Sequence, residues 1–279
     1  MKHPVILDAC TIINLLRIDT KDGFLFNLLK LLDLNMTSIV LEEVNCNIQK
    51  NPLSEEQNEY IEDTMYKFQS LFRPRQNDEI IKDISQDYFE KLCQFTNHTK
   101  KHNGELFSSA LSLCISREKN SRVYFYTDDF PAKKQFSKYF DYQQIGVIGD
   151  SVDLLLFLYW TNTSFEQGRL KKYLQDLRSE YNTPLRKLVN KIQTRKDSFS
   201  KRQKKDRVLM ENINKILDGC YSNSLLMNEG ISFFLDNKNY VEIKQIIKMF
   251  PDINKDCLLA KKVQDIIQAL LMYKIFKVA

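Results

Sequence analysis

Glycine is scarce in this sequence, and the motifs that depend on it are missing. The 279 residues include seven glycines, and these form neither a GxGxxG dinucleotide fingerprint nor a GxxxxGK[ST] phosphate loop. The six cysteines form no CxxC pair, which excludes the usual spacing of zinc sites and disulfide frameworks. The three histidines form no HExxH motif. Dinucleotide enzymes, P-loop enzymes, disulfide scaffolds and zinc proteases are therefore poor candidates.

Long apolar runs are also missing. The longest, Leu154–Trp160, is far shorter than the roughly 20 residues that cross a bilayer. Asp8 falls where a signal peptide would need its apolar stretch. No segment is Pro-rich or repetitive, and a hydrophobic fraction of 43% is enough for one sizeable core and a smaller second one. We therefore expect a globular, cytoplasmic protein of two domains that does not bind membranes.

Charge is divided unevenly along the chain. Residues 1–180 carry a net charge of −4 and residues 181–279 one of +9. An acidic half joined to a basic half suits an enzyme that gathers metal ions and also holds a polyanion such as nucleic acid. Composition alone favours the simpler alternative, which is a solvated basic helix face.

Short apolar runs alternate with helical patterns in the first half of the sequence. Strands are predicted at Val5–Leu7, Val123–Thr127 and Ile145–Ile148, with a brief one at Met36–Thr37. Each is followed by a segment with helical periodicity. Repeated strand–helix units predict an α/β fold, a three-layer α/β/α arrangement with a central parallel sheet.

The second half lacks any convincing strand and is predicted to be an all-α domain. Asn182-Thr183-Pro184 is the expected boundary, because the residue before a proline is pushed out of the helical region. The predicted domains are residues 1–180 and 181–279. We expect the basic stretch after this boundary to hold nucleic-acid phosphates, a solvated helix or linker being the alternative. Its cationic residues are Arg186, Lys187, Lys191, Arg195, Lys196, Lys201, Arg202, Lys204, Lys205 and Arg207.

Four acidic residues fall at positions where a parallel sheet would gather them. Asp8 ends the first strand, Asp129 follows a later one, and Glu43 and Glu105 lie on helices. Each has an ordinary explanation as a cap, a turn residue or a surface charge. Together they are more informative, because acids that share a pocket repel one another unless they are protonated or bind a cation.

Carboxylate oxygens in this number favour Mg²⁺ or Mn²⁺ over zinc. Such ions lower the pKa of a bound water and clamp phosphate oxygens, which makes hydrolysis of phosphodiester bonds the natural chemistry. The acids therefore predict a metal-dependent nuclease.

Four segments resemble the motifs of the PIN-domain nuclease family over roughly residues 4–160. They are Val5–Asn14 (VILDACTIIN), Ser38–Val44 (SIVLEEV), Gly104–Glu105 before an Ala/Ser-rich helix, and Tyr126–Asp129 (YTDD). The chain departs from compact toxins of this family in its longer segment between the second and third acids and in its extra helical domain.

The resemblance implies a PIN-like fold and a set of site residues. The catalytic metal ligands would be Asp8, Glu43, Glu105 and Asp129, with Glu42 as the alternative to Glu43 and Asp128 as the alternative to Asp129. Thr11 and Asn14 would support the first acid, and Thr127 would be a supporting or phosphate-contacting group.

The function implied is a single-strand-preferring endoribonuclease, a toxin of a toxin–antitoxin pair or a defence effector. A DNA-cutting nuclease with the same site is one alternative, because the motif says nothing about a 2′-OH. A scaffold without activity, binding nucleic acid or a partner protein, is another. We also expect an inhibitory or activating protein partner, and the sequence leaves a homo-oligomer open.

Overall fold

In the computed structural model, residues 3–19, 22–50, 63, 65–66, 71–82, 86–96, 103–222 and 224–273 are described. They divide into two compact units, one up to Tyr173 and one from Leu174 on. None of the described helices is both long and apolar enough to cross a membrane.

The first unit contains a four-stranded, all-parallel sheet. Its strands are β1 Pro4–Leu7, β2 Asp33–Asn35, β3 Val123–Tyr126 and β4 Gly146–Gly149. They lie in the order β2-β1-β3-β4, and β1 pairs with β3 in the register Ile6↔Phe125. The predicted parallel α/β sheet is confirmed.

The second strand is displaced from its predicted position. The strand expected at Met36–Thr37 is wrong, because β2 ends at Asn35 and these two buried residues follow it. Thr37 instead precedes the next helix, where its carbonyl accepts a hydrogen bond from the N–H of Leu41 at 3.2 Å. The Thr37 carbonyl is thus hydrogen-bonded to the first turn of that helix and not to a neighbouring strand.

Helices cover both faces of the sheet. Ile6, Val123 and Phe125 pack into one apolar core with residues of the covering helices. On the opposite face Tyr124 stacks on Phe157, with ring centroids 5.1 Å apart. Alternate residues of β3 therefore point to opposite faces, as the pleat of a strand requires. The helices of this unit are α1 Ala9–Ile18, α2 Phe24–Leu29, α3 Ser38–Lys50, α4 Pro74–Lys82, α5 Gln86–Thr96, α6 Gly104–Lys119, α7 Phe130–Tyr142 and α8 Ser151–Thr161.

The described part of the second unit is helical, which confirms the predicted helical region. Its helices are α9 Gln167–Asp197, which begins in the first unit, and α10 Lys201–Lys205, α11 Arg207–Ser222, α12 Ser224–Asp236, α13 Val241–Lys248 and α14 Ile253–Tyr273.

The helix break expected at Asn182–Pro184 is wrong, because Pro184 lies inside α9. A proline inside a helix costs about 3 kcal/mol. The buried side chains Tyr181, Leu185 and Leu188 flank it on the apolar side of the helix. Burying each large side chain contributes about 1.5–3 kcal/mol, which is enough to hold the helix together across the proline. The domain boundary predicted after residue 180 therefore falls within this helix.

Candidate functional site

Asp8 lies at the carboxyl end of β1 and is almost completely buried. Its exposed fraction is 3%. Oδ2 accepts hydrogen bonds from Thr127 Oγ1 at 2.9 Å and from Cys10 Sγ at 3.0 Å. Oδ1 is also buried, yet it has no hydrogen-bonding partner among the described residues. A buried carboxylate oxygen without a donor is costly and therefore uncommon, so this atom needs an explanation.

Thr127 connects Asp8 to Asp129. The hydroxyl that donates to Asp8 also accepts the backbone N–H of Asp129 at 3.0 Å. Asp129 is the N-cap of α7, and its Oδ1 accepts the N–H of Ala132 at 3.0 Å. The capping role considered from the sequence is therefore real. One carboxylate can cap a helix with one oxygen and keep further acceptor capacity on the other.

The start of α6 contributes the third and fourth acids. Glu105 lies in its first turn, after the N-cap Asn103. Glu43 reaches the same helix start from α3, because its Oε1 accepts the N–H of Gly104 at 3.1 Å. A Cβ at position 104 would lie 2.7 Å from Glu43 Oε2, so glycine permits this close approach.

The three other acids all lie close enough to Glu105 to affect its pKa. The pKa of Glu105 is raised to about 7, mainly by burial and in addition by the charges of Asp8, Asp129 and Glu43. Burial also raises the pKa of Asp8; the side chains of Cys10 and Thr127 and the backbone N–H of Ala9 oppose this, and the charge of Asp129 adds to it. Such mutual repulsion is relieved by protons or by a cation.

Asp128 has a different role from its neighbour. Its Oδ1 accepts the N–H of Ser151 at 2.8 Å, and its Oδ2 accepts Ser151 Oγ at 2.7 Å and Asn14 Nδ2 at 2.6 Å. Both carboxylate oxygens of this buried residue are thus engaged by α1 and α8. The geometry favours Asp129 over Asp128 as the acid that faces a cation. Glu42 is exposed, whereas the Glu43 carboxylate contacts the start of α6.

Of the three predicted supporting residues, Thr127 contacts Asp8, whereas Thr11 and Asn14 have other hydrogen-bonding partners. Thr127 holds Asp8 directly. Asn14 bonds to Asp128 and not to Asp8, and Thr11 Oγ1 donates to the carbonyl of Tyr126 at 3.2 Å. Thr11 and Asn14, both on α1, therefore bond to residues at the carboxyl end of β3 and not to Asp8.

Cys10 is a further site residue, which the sequence motifs do not identify. Its Sγ donates to Asp8 and accepts the backbone N–H of Asp128 at 3.1 Å. The signal that could have revealed it is position, because a side chain in the first turn of α1 lies beside the residue that precedes the helix.

The donor chemistry of the acidic group fits a hard divalent cation. The group supplies carboxylate oxygens, and Oδ1 of Asp8 is an unused acceptor within it. Among the described residues, however, no three His, Cys, Asp or Glu side chains already have the arrangement of a metal site. The acids are close enough to repel one another, and their oxygens are not arranged as ligands.

Comparisons with known proteins do not assign the chain to a family. No family model, no curated protein and no solved structure matches it.

The ten basic residues predicted to contact nucleic acid lie on α9, α10 and the first turn of α11. Three of them have partners within the protein. Arg195 forms an ion pair with Glu242, Lys196 bonds to Asn214, and Lys191 lies 3.3 Å from the Met249 sulfur. The other seven are exposed. Lys191 is exposed as well, so Arg195 and Lys196 are the two of the ten that are only partly exposed.

Proposed function

We propose that this chain is a divalent-metal-dependent nuclease of the PIN-domain type, acting on single-stranded RNA. The single observation that supports it best is the buried Oδ1 of Asp8, which lacks a donor inside a group of four carboxyl side chains. A buried carboxylate in such a group is rarely built for stability alone, whereas a cation would use the oxygen and offset the repulsion.

Asp8, Glu43, Glu105 and Asp129 would hold Mg²⁺ or Mn²⁺. When bound, the ion lowers the pKa of a water molecule and neutralises charge on the phosphate. Thr127 keeps Asp8 and Asp129 in fixed relative positions through its one hydroxyl. With a pKa raised to about 7, Glu105 is partly protonated near neutral pH, and a bound cation would favour its ionised form.

The exposed cations of the basic stretch would contact the phosphates of the substrate. Such contacts give affinity that depends on salt and little on sequence. Whether the sugar is ribose or deoxyribose is decided by contacts with the 2′-OH, so a DNA-cutting nuclease remains the alternative within the same chemistry.

The alternative from another class is an inactive scaffold that binds nucleic acid or a partner protein. The observation that favours it is that Asp129 and Glu43 each already use an oxygen to bind a backbone N–H at a helix start. A scaffold of this kind would bind nucleic acid without cutting it and would not respond to metal.

The test is cleavage of labelled single-stranded RNA and DNA with Mn²⁺, Mg²⁺ or EDTA. The wild type is compared with Asp8→Asn, and Asp141→Asn on the exposed surface of α7 serves as the matched control. We expect metal-dependent cutting of RNA by the wild type and the control, and none by Asp8→Asn. Binding without cutting by all three proteins would favour the scaffold.

A free ribonuclease harms its host, so we also propose that an inhibitory or activating partner controls this protein. Expression of the active chain alone without toxicity would contradict this part of the proposal.

A further inference from the structure

A small groove in the second unit lies beside the basic helix α10. It is formed by residues from the end of α9 and the turn after it, from α10 and α11, and from the start of α13 and the residues before it, and its volume is about 220 Å³. Sites for drug-sized ligands span about 300–1,000 Å³. This groove therefore suits a single ring system and not a larger ligand.

Two aromatic residues, Phe199 and Tyr240, line the groove, and both have further contacts within the unit. Phe199 is buried, with the guanidinium carbon of Arg195 5.4 Å from its ring centroid. The hydroxyl of Tyr240 donates to Asp206 Oδ2 at 3.1 Å, and the ring packs against Phe234 at 5.6 Å. Tyr240 is partly exposed, so its ring is the aromatic surface of the groove that can stack on a planar base.

Polar groups lie at the rim of the same groove. Gln203 and Asn239 line it, as do the ion-paired Arg195 and Glu242, and the side-chain oxygen of Gln203 already accepts hydrogen bonds from Ser200. Amide, guanidinium and carboxylate groups are the donors and acceptors that proteins use to bind the edges of nucleobases. The lining thus combines a stacking surface with base-edge chemistry.

The surrounding charge is strongly positive. Gln203 lies in α10, whose other four residues, Lys201, Arg202, Lys204 and Lys205, are exposed cations. In the described part of the chain these four side chains have no ion-pair partner. The helix contains no apolar residue that could enter a lipid surface, which disfavours a membrane as its partner.

We propose that the second unit binds single-stranded nucleic acid, with one unpaired base in this groove and the neighbouring phosphates on α10. A base inside a duplex is stacked and paired and cannot enter such a groove, so the site selects single strands. The inference rests on the proposed nuclease function for its substrate class, but binding at this site requires neither metal nor cleavage.

Binding is measured by fluorescence anisotropy with a labelled single-stranded RNA, in EDTA, using the full chain carrying Asp8→Asn. Lys204→Gln/Lys205→Gln is compared with Lys248→Gln/Lys261→Gln, a matched pair of exposed lysines elsewhere in the same unit. Each phosphate contact contributes about 0.7 to the slope of log affinity against log salt for single strands. We expect the α10 pair to reduce this slope by about 1.4, and the control pair to leave it unchanged. An unchanged slope for both pairs would overturn the proposal.

Binding of a base in the groove is tested with an RNA of the same length that has abasic positions at its centre. Stacking of one base on an aromatic surface corresponds to a roughly fivefold to 150-fold gain in affinity. We expect a loss in that range for the abasic strand, and a smaller loss on Asn239→Ala that disappears when the strand is abasic. Equal binding of the intact and abasic strands would overturn the base site. Because these measurements need no catalysis, failure here with intact cleavage would reject only this inference.

Discussion

Replacing Glu105 with Gln should make the first unit more stable at alkaline pH. The folded pKa of Glu105 is raised from 4.5 to about 7, mainly by burial and then by the charges of Asp8, Asp129 and Glu43. The folded state therefore keeps its proton after the unfolded state has lost it. Stability from this group is lost as pH rises from 4.5 to 7 and is not regained above pH 7.

The size of the effect follows from the shift. One pKa unit corresponds to 1.36 kcal/mol, so ionised Glu105 lowers the free energy of unfolding by about 3 kcal/mol above pH 7. Glu105→Gln removes this penalty and should exceed the wild type by about 3 kcal/mol at pH 8, with little difference at pH 4.5. Mn²⁺ should stabilise the wild type at pH 8 and so reduce the difference in free energy of unfolding between Glu105→Gln and the wild type.

The assay is urea unfolding followed by tryptophan fluorescence. The chain has one tryptophan, Trp160, which is half-exposed at the end of α8 in the first unit and so reports on that unit. Glu118→Gln, an exposed acid at the other end of α6, is the matched control and should match the wild type within about 0.5 kcal/mol. Equal stabilities of Glu105→Gln and the wild type at pH 8 would refute the assignment of Glu105 to a crowded acidic group.

Two further substitutions separate the roles of neighbouring polar residues. Thr127→Val removes the hydroxyl that holds Asp8 and should lower both RNA cleavage and the free energy of unfolding, the latter by about 1–3 kcal/mol. Thr127→Ser keeps the hydroxyl and should restore both. Equal activity of the Val and Ser variants would contradict the positioning role of Thr127. Asp128→Asn places an amide donor against donors in a buried site and should cost a similar 1–3 kcal/mol. It should nevertheless keep the stabilisation by Mn²⁺, and loss of that response would identify Asp128 as a ligand.

The sheet and its strand-end acids could be predicted because the signals are local. An apolar run that stops at Asp8, and another that stops before Asp129, mark the ends of β1 and β3 directly. Parallel pairing then brings the two acids to one edge of the sheet. Their mutual repulsion with Glu105 follows from that arrangement.

Other features depend on contacts between distant parts of the chain, which the sequence does not display. Asp128 and Asp129 look equivalent, and only the hydrogen bonds from Ser151 and Asn14 separate them. Pro184 predicts a helix end by local rules, but buried neighbours in α9 outweigh that preference. The contact of Cys10 with both Asp8 and Asp128 requires the pairing of β1 with β3, so it could not be distinguished from a core position.

Binding of Mn²⁺ to the full chain is the measurement that tests the acidic site most directly. The metal-free protein is titrated at pH 7.5, and free Mn²⁺ is followed by electron paramagnetic resonance for the wild type, Asp8→Asn and Asp141→Asn. We predict that the wild type and Asp141→Asn bind Mn²⁺ equally, and that Asp8→Asn binds at least about tenfold more weakly because it loses a charged ligand. If the wild type binds no Mn²⁺, or if Asp8→Asn binds it as tightly, the four acids are not a metal site and the nuclease proposal is contradicted.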